Sequence, residues 1–178
     1  MKKIFVYDNS YDNYSSFAAL FNWCQQYFSQ FYNLSVEGIK SEEIYKLDNE
    51  DAIAFFMPGG RSKNYQNNLS PDKVKIIDKF VNNGGHLSVC CGSTYWLARE
   101  IFFDTGHQKI EATNSSYFTF FDTLKGPLNE LAKPFEETPT VLTIDVGDEF
   151  KDIGTYYHGG PKISLQNDMS TIAKFSNT

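Results

Sequence analysis

The sequence lacks the features that mark several large classes of protein. Its 178 residues contain three cysteines, an odd number without C-x-x-C spacing, which is not the pattern of a disulfide framework or of a zinc site. The apolar run at residues 4–7 ends at Asp8 and is too short for a signal-peptide core or a membrane span. We therefore expect a protein of a reducing, cytoplasmic setting, with no membrane association, no metal and no cofactor.

Positive charge is also scarce. Lys and Arg number 16 against 22 Asp and Glu, which gives a net charge of -6, and no concentrated basic surface of the kind that binds phosphate backbones is present. Nucleic acid is thus excluded as the main partner, and we expect a small-molecule ligand, with a homodimer as one option. What the chain does have is 41% hydrophobic residues, enough for one domain, residues 1–178, with a substantial core.

Strand and helix patterns alternate through the first part of the chain. The apolar run at residues 52–57 indicates a central strand with both faces covered. Alternation of this kind predicts an α/β fold, a three-layer sandwich with a mostly parallel central sheet. Strands are predicted at 3–7, 34–39, 51–57 and just before Cys90; helices at 15–32, 41–46, 70–83 and just after Cys90; a polar loop at 61–69.

The later part of the chain shows weaker patterns. Beyond residue 103 we predict short strands at 117–121, 140–146 and 171–175. Turns are predicted at 123–131, which contains Gly126-Pro127, and at 156–161, which contains Gly159.

The segment 84–95, GGHLSVCCGSTY, has the pattern of a strand that turns sharply into a helix at Cys90. A residue at such a corner projects above the sheet edge, where helix N-H groups favour a thiolate, so we interpret Cys90 as a nucleophile-elbow cysteine. The turn needs small neighbours, and Ser88 and Gly92 supply them. A buried strand that ends in two core cysteines is the alternative interpretation.

Two glycine-bearing turns are predicted at the same edge of the sheet. Pro58-Gly59-Gly60 follows the central strand, and Cys90 follows the next strand along the chain. Because ligands of parallel α/β sheets bind at the carboxyl ends of the strands, the N-H groups of Gly59 and Gly60 are expected to face the same crevice as Cys90.

Three segments together resemble one family. They are residues 56–61 (FMPGGR), residues 75–96 with the elbow, and residues 120–127 with 156–161 (YYHGGP). Their order and spacing are similar to those in the amino-terminal domain of eukaryotic biotin-protein ligases and its bacterial stand-alone relatives, within the class I glutamine amidotransferase-like superfamily. The resemblance covers most of the chain.

The resemblance implies a flavodoxin-like fold, Cys90 at the nucleophile position, and Gly59 and Gly60 with the Cys91 N-H at the oxyanion-hole position. It does not imply biotin ligation, because the ligase domain with its basic glycine-rich loop is absent from this sequence. It also makes His158, in a glycine turn that matches a family motif, the best candidate base.

The catalytic set is incomplete in the sequence. His86 begins the strand that leads to Cys90 and therefore lies at the wrong end, and His107 lies beyond the helix after the elbow. Active amidotransferases similar to this fold carry a late His-x-Glu pair, which is not found in these residues. Either the triad is degenerate or the natural chain is longer, and family members do continue past this point.

Three hypotheses of function follow. The first is a domain that binds a small anionic or amide ligand at the elbow, with Arg61 contacting a carboxylate. The second is a cysteine-dependent hydrolase or amidotransferase of a small amide or ester, and the third is a thiol redox or stress role for Cys90 and Cys91. The alternative to a ligand contact for Arg61 is an ion pair at the surface. Tyr65 and Tyr95 either line the pocket or belong to the core.

Overall fold

The computed structural model divides the chain into two compact units. The first contains residues 1–99 and 114–120, and the second contains residues 100–113 and 121–178. The residues that the structure describes are 1–13, 15–106, 109–113, 120–127, 140–157, 160–163, 170 and 173–175. The single domain over residues 1–178 stays a prediction. No helix of these described residues is long and apolar enough to cross a membrane.

A four-stranded parallel sheet forms the centre of the first unit. Its strand order is β2-β1-β3-β4, and every neighbouring pair is parallel. The apolar strand β3 lies inside the sheet, as its sequence predicts, and the α/β fold with a mostly parallel central sheet is confirmed. This order is that of flavodoxin-like sheets. The strands are β1 (Lys3–Tyr7), β2 (Ser35–Ile39), β3 (Ala52–Met57) and β4 (His86–Val89).

Alternate residues of the central strands point to opposite faces of this sheet. Ile4 and Val6 of β1 join Ala54 and Phe56 of β3 in one apolar cluster with Cys24. These side chains are almost fully buried, so the first helix covers this face and Cys24 belongs to the core.

The opposite face carries the other half of the core. Tyr7 packs edge-on against Phe55, with ring centroids 6.3 Å apart, and contacts Tyr65 at 5.6 Å. Tyr7 also lies beside Ser41, the first residue of the 3₁₀ helix Ser41–Asp48. The sheet of the first unit thus has helices on both faces.

The helix predicted at residues 15–32 is present but is not uniform. It begins as α1 (Phe17–Cys24), passes through a π-helical turn at Gln25–Ser29, and ends as the short α2 (Gln30–Tyr32). Its apolar stripe packs against the sheet as the three- and four-residue spacing predicts. Asn33 ends it with a φ of 52°, a left-handed conformation that asparagine tolerates.

The polar loop predicted at residues 61–69 is wrong, because residues 62–68 form the helix α3 (Ser62–Asn68). Its sequence has few good helix formers, but Tyr65 is fully buried and its hydroxyl donates to the Pro58 carbonyl at 2.5 Å. This tertiary contact outweighs the weak local preference. The following helix α4 (Pro71–Asn82) agrees with its prediction, with proline in the first turn.

The helix after the elbow is present, as predicted, and is short. α5 covers only Gly92–Trp96, and the chain re-enters extended structure as β5 (Ala98–Asp104). Trp96 is 1% exposed and belongs to the core. The core thus fixes the end of this helix close behind the elbow.

The described residues of the second unit form two sheets of mostly antiparallel strands. One sheet has the order β10-β7-β5-β6 and the other β11-β8-β9. The predicted strand 140–146 is confirmed, and so is the last one over Ala173–Phe175. The predicted turn at 123–131 is wrong as far as Gly126, because Phe121–Gly126 is a strand. Of the strand predicted at 117–121, residues 117–119 lie outside the described residues. The remaining strands are β6 (Lys109–Thr113), β7 (Phe121–Gly126), β8 (Thr140–Val146), β9 (Phe150–Tyr157), β10 (Lys162–Ile163) and β11 (Ala173–Phe175).

We expect Phe55→Ala to cost about 3–5 kcal/mol in the free energy of unfolding, because its ring is fully buried at the centre of the sheet. Tyr45→Ala is the matched control, since that aromatic side chain is 61% exposed and should change stability by less than about 0.5 kcal/mol. Urea unfolding followed by circular dichroism measures both. Equal losses for the two variants would contradict the assignment of the core.

Candidate functional site

The candidate site lies where β1 and β3 end side by side. The strand order 2-1-3 means that the connection from β1 leaves toward one side of the sheet and that β3 lies on the other. In sheets of this order such a change of direction leaves a crevice at the carboxyl ends of the two strands, where ligands usually bind. The loop after β1 begins at Asp8, and the loop after β3 begins at Pro58.

Asn9 joins these two loops through its side chain. The amide is 1% exposed, and its nitrogen donates to the Gly59 carbonyl at 2.9 Å and to the Tyr65 hydroxyl at 2.8 Å. Its oxygen accepts a hydrogen bond from the Ser15 hydroxyl. One buried side chain therefore fixes three segments of the crevice to one another.

The glycine loop is held by side chains of the loop after β1. The Gly59 N-H donates to the Ser16 hydroxyl at 2.8 Å, and the Arg61 N-H donates to the Asp12 carboxylate at 2.7 Å. Gly60 has a φ of 145°, and a Cβ at this position would lie 2.8 Å from an Asp12 carboxylate oxygen. Glycine is therefore required at position 60 for steric as well as conformational reasons.

The sharp corner predicted at Cys90 has its unusual backbone conformation one residue later. Cys91 has φ 51° and ψ -118°, a combination that costs a non-glycine residue on the order of 1–3 kcal/mol and that is concentrated at functional sites. The corner packs tightly on the glycine loop, because a Cβ on Gly92 would lie 1.7 Å from the Gly60 carbonyl oxygen. Gly92 therefore permits the approach of the two turns.

Ser93 fastens the corner to the central strand. Its side chain is fully buried and accepts a hydrogen bond from the Cys90 N-H at 2.9 Å. The same hydroxyl lies 3.0 Å from the Met57 carbonyl and 2.8 Å from the Cys90 carbonyl, and it can donate its proton to either. The position of Cys90 relative to β3 is thus set by Ser93.

Both thiols at the corner have a raised pKa, although Cys90 is exposed as a residue and Cys91 is half-buried. Burial, with a smaller contribution from the neighbouring Cys91, raises the pKa of the Cys90 thiol to about 11, and the Gly59 N-H acts in the opposite direction. The Cys90 sulfur also lies 3.8 Å from the Met57 carbonyl, an acceptor that favours the thiol. Burial likewise raises the pKa of Cys91, although the N-H groups of Gly60 and Gly92 lower it.

Three of the other predicted site residues lie in the same unit. Tyr65 is a buried positioning residue, with its ring 6.0 Å from that of Trp96, and desolvation raises its pKa. Tyr95 is also buried, on α5, and Arg61 is exposed immediately before α3. Their roles in binding stay predictions.

The predicted base is not part of the described structure. His158 and Gly159 lie outside the described residues, as does His107. His86 begins β4, at the strand end opposite Cys90, and its ring lies 6.2 Å from that of Phe56. Among the described residues, no group of three or more His, Cys, Asp or Glu side chains is arranged to hold a metal ion.

Asn9, Asp12, Ser15 and Ser16 are the site residues that the sequence analysis missed. Asn9 and Asp12 are buried polar side chains. The signal available in the sequence was their position directly after the first strand, at the carboxyl edge where ligands bind. The apolar spacing predicts Ser15 and Ser16 only as the start of the first helix, with no role at the site.

We expect Gly92→Ala to destabilise the protein by about 3 kcal/mol or more, because the added methyl group would overlap backbone that cannot move independently. Gly154→Ala in β9 is the matched control, since its Cβ would be 3.7 Å from the nearest atom, in Val141. That control should stay within about 0.5 kcal/mol of the parent. Urea unfolding followed by far-ultraviolet circular dichroism compares them; a Gly92→Ala variant as stable as the parent would refute the close approach.

The pH dependence of alkylation tests the state of the thiols. A pKa of about 11 for Cys90 predicts an iodoacetamide rate that rises about tenfold per pH unit above pH 8, without a plateau near the free-thiol value of about 8.5. Peptide mass spectrometry measures the rate at each cysteine, with Cys90→Ser and Cys91→Ser separating the two neighbours and buried Cys24 as the internal reference. A midpoint below 8.5 at either corner cysteine would instead indicate an activated nucleophile.

Comparison with known proteins gives one family. The family model described as "Biotin-protein ligase, N terminal" matches residues 2–176, nearly the whole chain. No curated protein matches the sequence.

Proposed function

This chain belongs to the biotin-protein ligase N-terminal family, and from that premise we propose that it binds a small anionic or amide ligand in the crevice beside Cys90 and Cys91. The proposal includes no biotin ligase activity. It places the ligand at the carboxyl ends of β1 and β3, against the Gly59-Gly60 loop.

The observation that carries the proposal is the convergence of backbone N-H groups on the two sulfurs. Those of Gly60 and Gly92 favour negative charge at the Cys91 sulfur, and that of Gly59 favours it at the Cys90 sulfur. Oriented backbone amides of this kind form anion-binding concavities. An incoming carboxylate or amide oxygen beside the sulfurs can meet the Gly60 and Gly92 donors, whereas the Gly59 N-H already donates to the Ser16 hydroxyl at 2.8 Å.

In this proposal Arg61 is the positively charged side chain that binds the ligand. It follows Gly60 directly, its side chain is exposed, and its backbone N-H is fixed by Asp12 at 2.7 Å. A guanidinium at this position can bind a carboxylate through two parallel hydrogen bonds. This feature favours an acidic ligand over a neutral one.

Binding is favoured over hydrolysis by the protonation state of the thiols. A thiol with a pKa of about 11 is almost entirely protonated at pH 7, whereas attack on an amide requires the thiolate. The backbone amides reduce the cost of the thiolate, but burial outweighs them at both cysteines.

A cysteine-dependent hydrolase or amidotransferase is the second candidate, and the backbone of Cys91 favours it. Positive φ at a strand-to-helix corner is the conformation of a nucleophile elbow, so the structure makes Cys91 a candidate nucleophile beside Cys90. In such a reaction the thiolate would attack the carbonyl carbon of an amide, the amine would leave with a proton, and water would hydrolyse the thioester.

A titration with glutamate and glutamine tests the binding proposal. We expect millimolar concentrations of either compound to shift the backbone amide resonances of Gly59, Gly60 and Gly92 in a ¹⁵N-labelled sample. Arg61→Gln should weaken glutamate about tenfold, because it removes a charged hydrogen-bond partner, and should weaken glutamine less.

Lys63→Gln provides the matched control, because it removes the same charge from an exposed side chain two residues away. It should leave both affinities unchanged. The proposal fails if neither compound shifts these three resonances, or if the two variants weaken glutamate equally, which would indicate a general effect of net charge.

A further inference from the structure

An exposed row of aromatic side chains lies on the first helical segment, away from the crevice. Trp23, Tyr27 and Phe31 recur every four residues and therefore share one side of the segment. Their exposed fractions are 49%, 40% and 73%, and the adjacent Tyr32 is 57% exposed. We call these four side chains the aromatic patch.

The rings of the aromatic patch are already ordered against one another. Trp23 stacks on Tyr27 with ring centroids 5.5 Å apart and planes 5° from parallel. Tyr27 also contacts Phe31 at 5.7 Å and Tyr32 at 5.5 Å, and the two tyrosine hydroxyls are 3.3 Å apart. Side chains that are held in place before binding lose little conformational entropy in a complex.

The sequence around the aromatic patch is free of charge. No Lys, Arg, Asp or Glu occurs from residue 13 to residue 36, in a chain that is 21% charged overall. The exposed polar side chains beside the patch are neutral amides, Asn22, Gln25, Gln26 and Gln30. Depletion of charge together with enrichment of aromatic residues is the composition of the core of a protein interface. The π-helical turn Gln25–Ser29 underlies this patch, and such turns are frequent at functional sites.

We propose that the aromatic patch is the centre of a symmetric interface with a second copy of this chain. The patch exposes roughly 400–500 Å² of aromatic surface, at about 200 Å² for a whole aromatic side chain. A stable interface takes about 800 Å² from each partner, so the patch supplies about half of it and the neutral amides supply the rim.

A second copy fits this surface because of the charge of the whole chain. Each copy carries a net charge of -6, so two copies repel one another wherever their acidic residues meet. A charge-free surface lets them approach without placing carboxylates in contact. In a two-fold arrangement the same patch faces itself, and rings can pack on rings across the axis.

Sedimentation velocity over a range of concentrations tests the proposal. The parent chain should sediment as a concentration-dependent dimer, and Phe31→Glu should weaken the dimer about 100-fold, because it brings two carboxylates together across the axis. Tyr45→Glu is the matched control, since Tyr45 is 61% exposed but lies on the 3₁₀ helix, which covers the opposite face of the sheet. It should dimerise like the parent.

Tryptophan emission gives a second measurement on the parent chain that needs no variant. The chain has two tryptophans, and Trp96 is 1% exposed whereas Trp23 is 49% exposed. Dilution through the dissociation range should therefore shift the emission to the red and increase acrylamide quenching of Trp23. Phe31→Glu should show the diluted spectrum at every concentration, and an unchanged circular dichroism spectrum would confirm that it folds.

Three results would overturn the proposal. The first is a parent chain that remains monomeric at the highest concentration. The second is a dimer that Phe31→Glu and Tyr45→Glu leave equally intact, which would place the interface elsewhere. The third is a monomer whose Trp23 emission shifts on addition of phosphatidylcholine vesicles, which would assign the patch to a lipid surface.

Discussion

The buried amide of Asn9 is the contact on which the crevice depends. Its three polar partners belong to three segments: the Gly59 carbonyl, the Tyr65 hydroxyl and the Ser15 hydroxyl. In a low-dielectric interior such a network is stable only when all of its members are satisfied, and it then specifies a single arrangement. The glycine loop and α3 therefore occupy fixed positions against the loop after β1.

Elements whose own sequences decide their structure were predictable. The apolar run of β3 and the periodic sequence of α4, with proline in its first turn, require no information from elsewhere in the chain. The helix α3 was not predictable, because its amide-rich sequence favours a loop and only the burial of Tyr65 overrides that preference. In the second unit the Gly126-Pro127 pair correctly marks the end of an extended segment. The turn predicted around this pair begins too early, at residue 123, and therefore includes residues of the strand.

The candidate site also has some features that the sequence predicts and others that it does not. The carboxyl ends of the strands placed Gly59, Gly60 and Cys90 at one edge of the sheet, and they do lie there. The sequence does not show that the positive φ lies at Cys91, nor that Gly92 packs against the Gly60 carbonyl, which is distant in sequence. The sequence also does not indicate whether burial, which raises the pKa of a thiol, or backbone N-H groups, which lower it, have the larger effect.

The side chains that form this crevice also make its stability depend on pH. Folding raises the pKa of Cys90, Cys91 and Tyr65, chiefly by burial, so each of them retains a proton that the unfolded chain would release above about pH 8.5 for a thiol and about pH 10 for a phenol. Stability contributed by a group with a raised pKa is complete below its unfolded value and is lost as the pH rises. A rise in pH above these values therefore destabilises the residues that form the crevice.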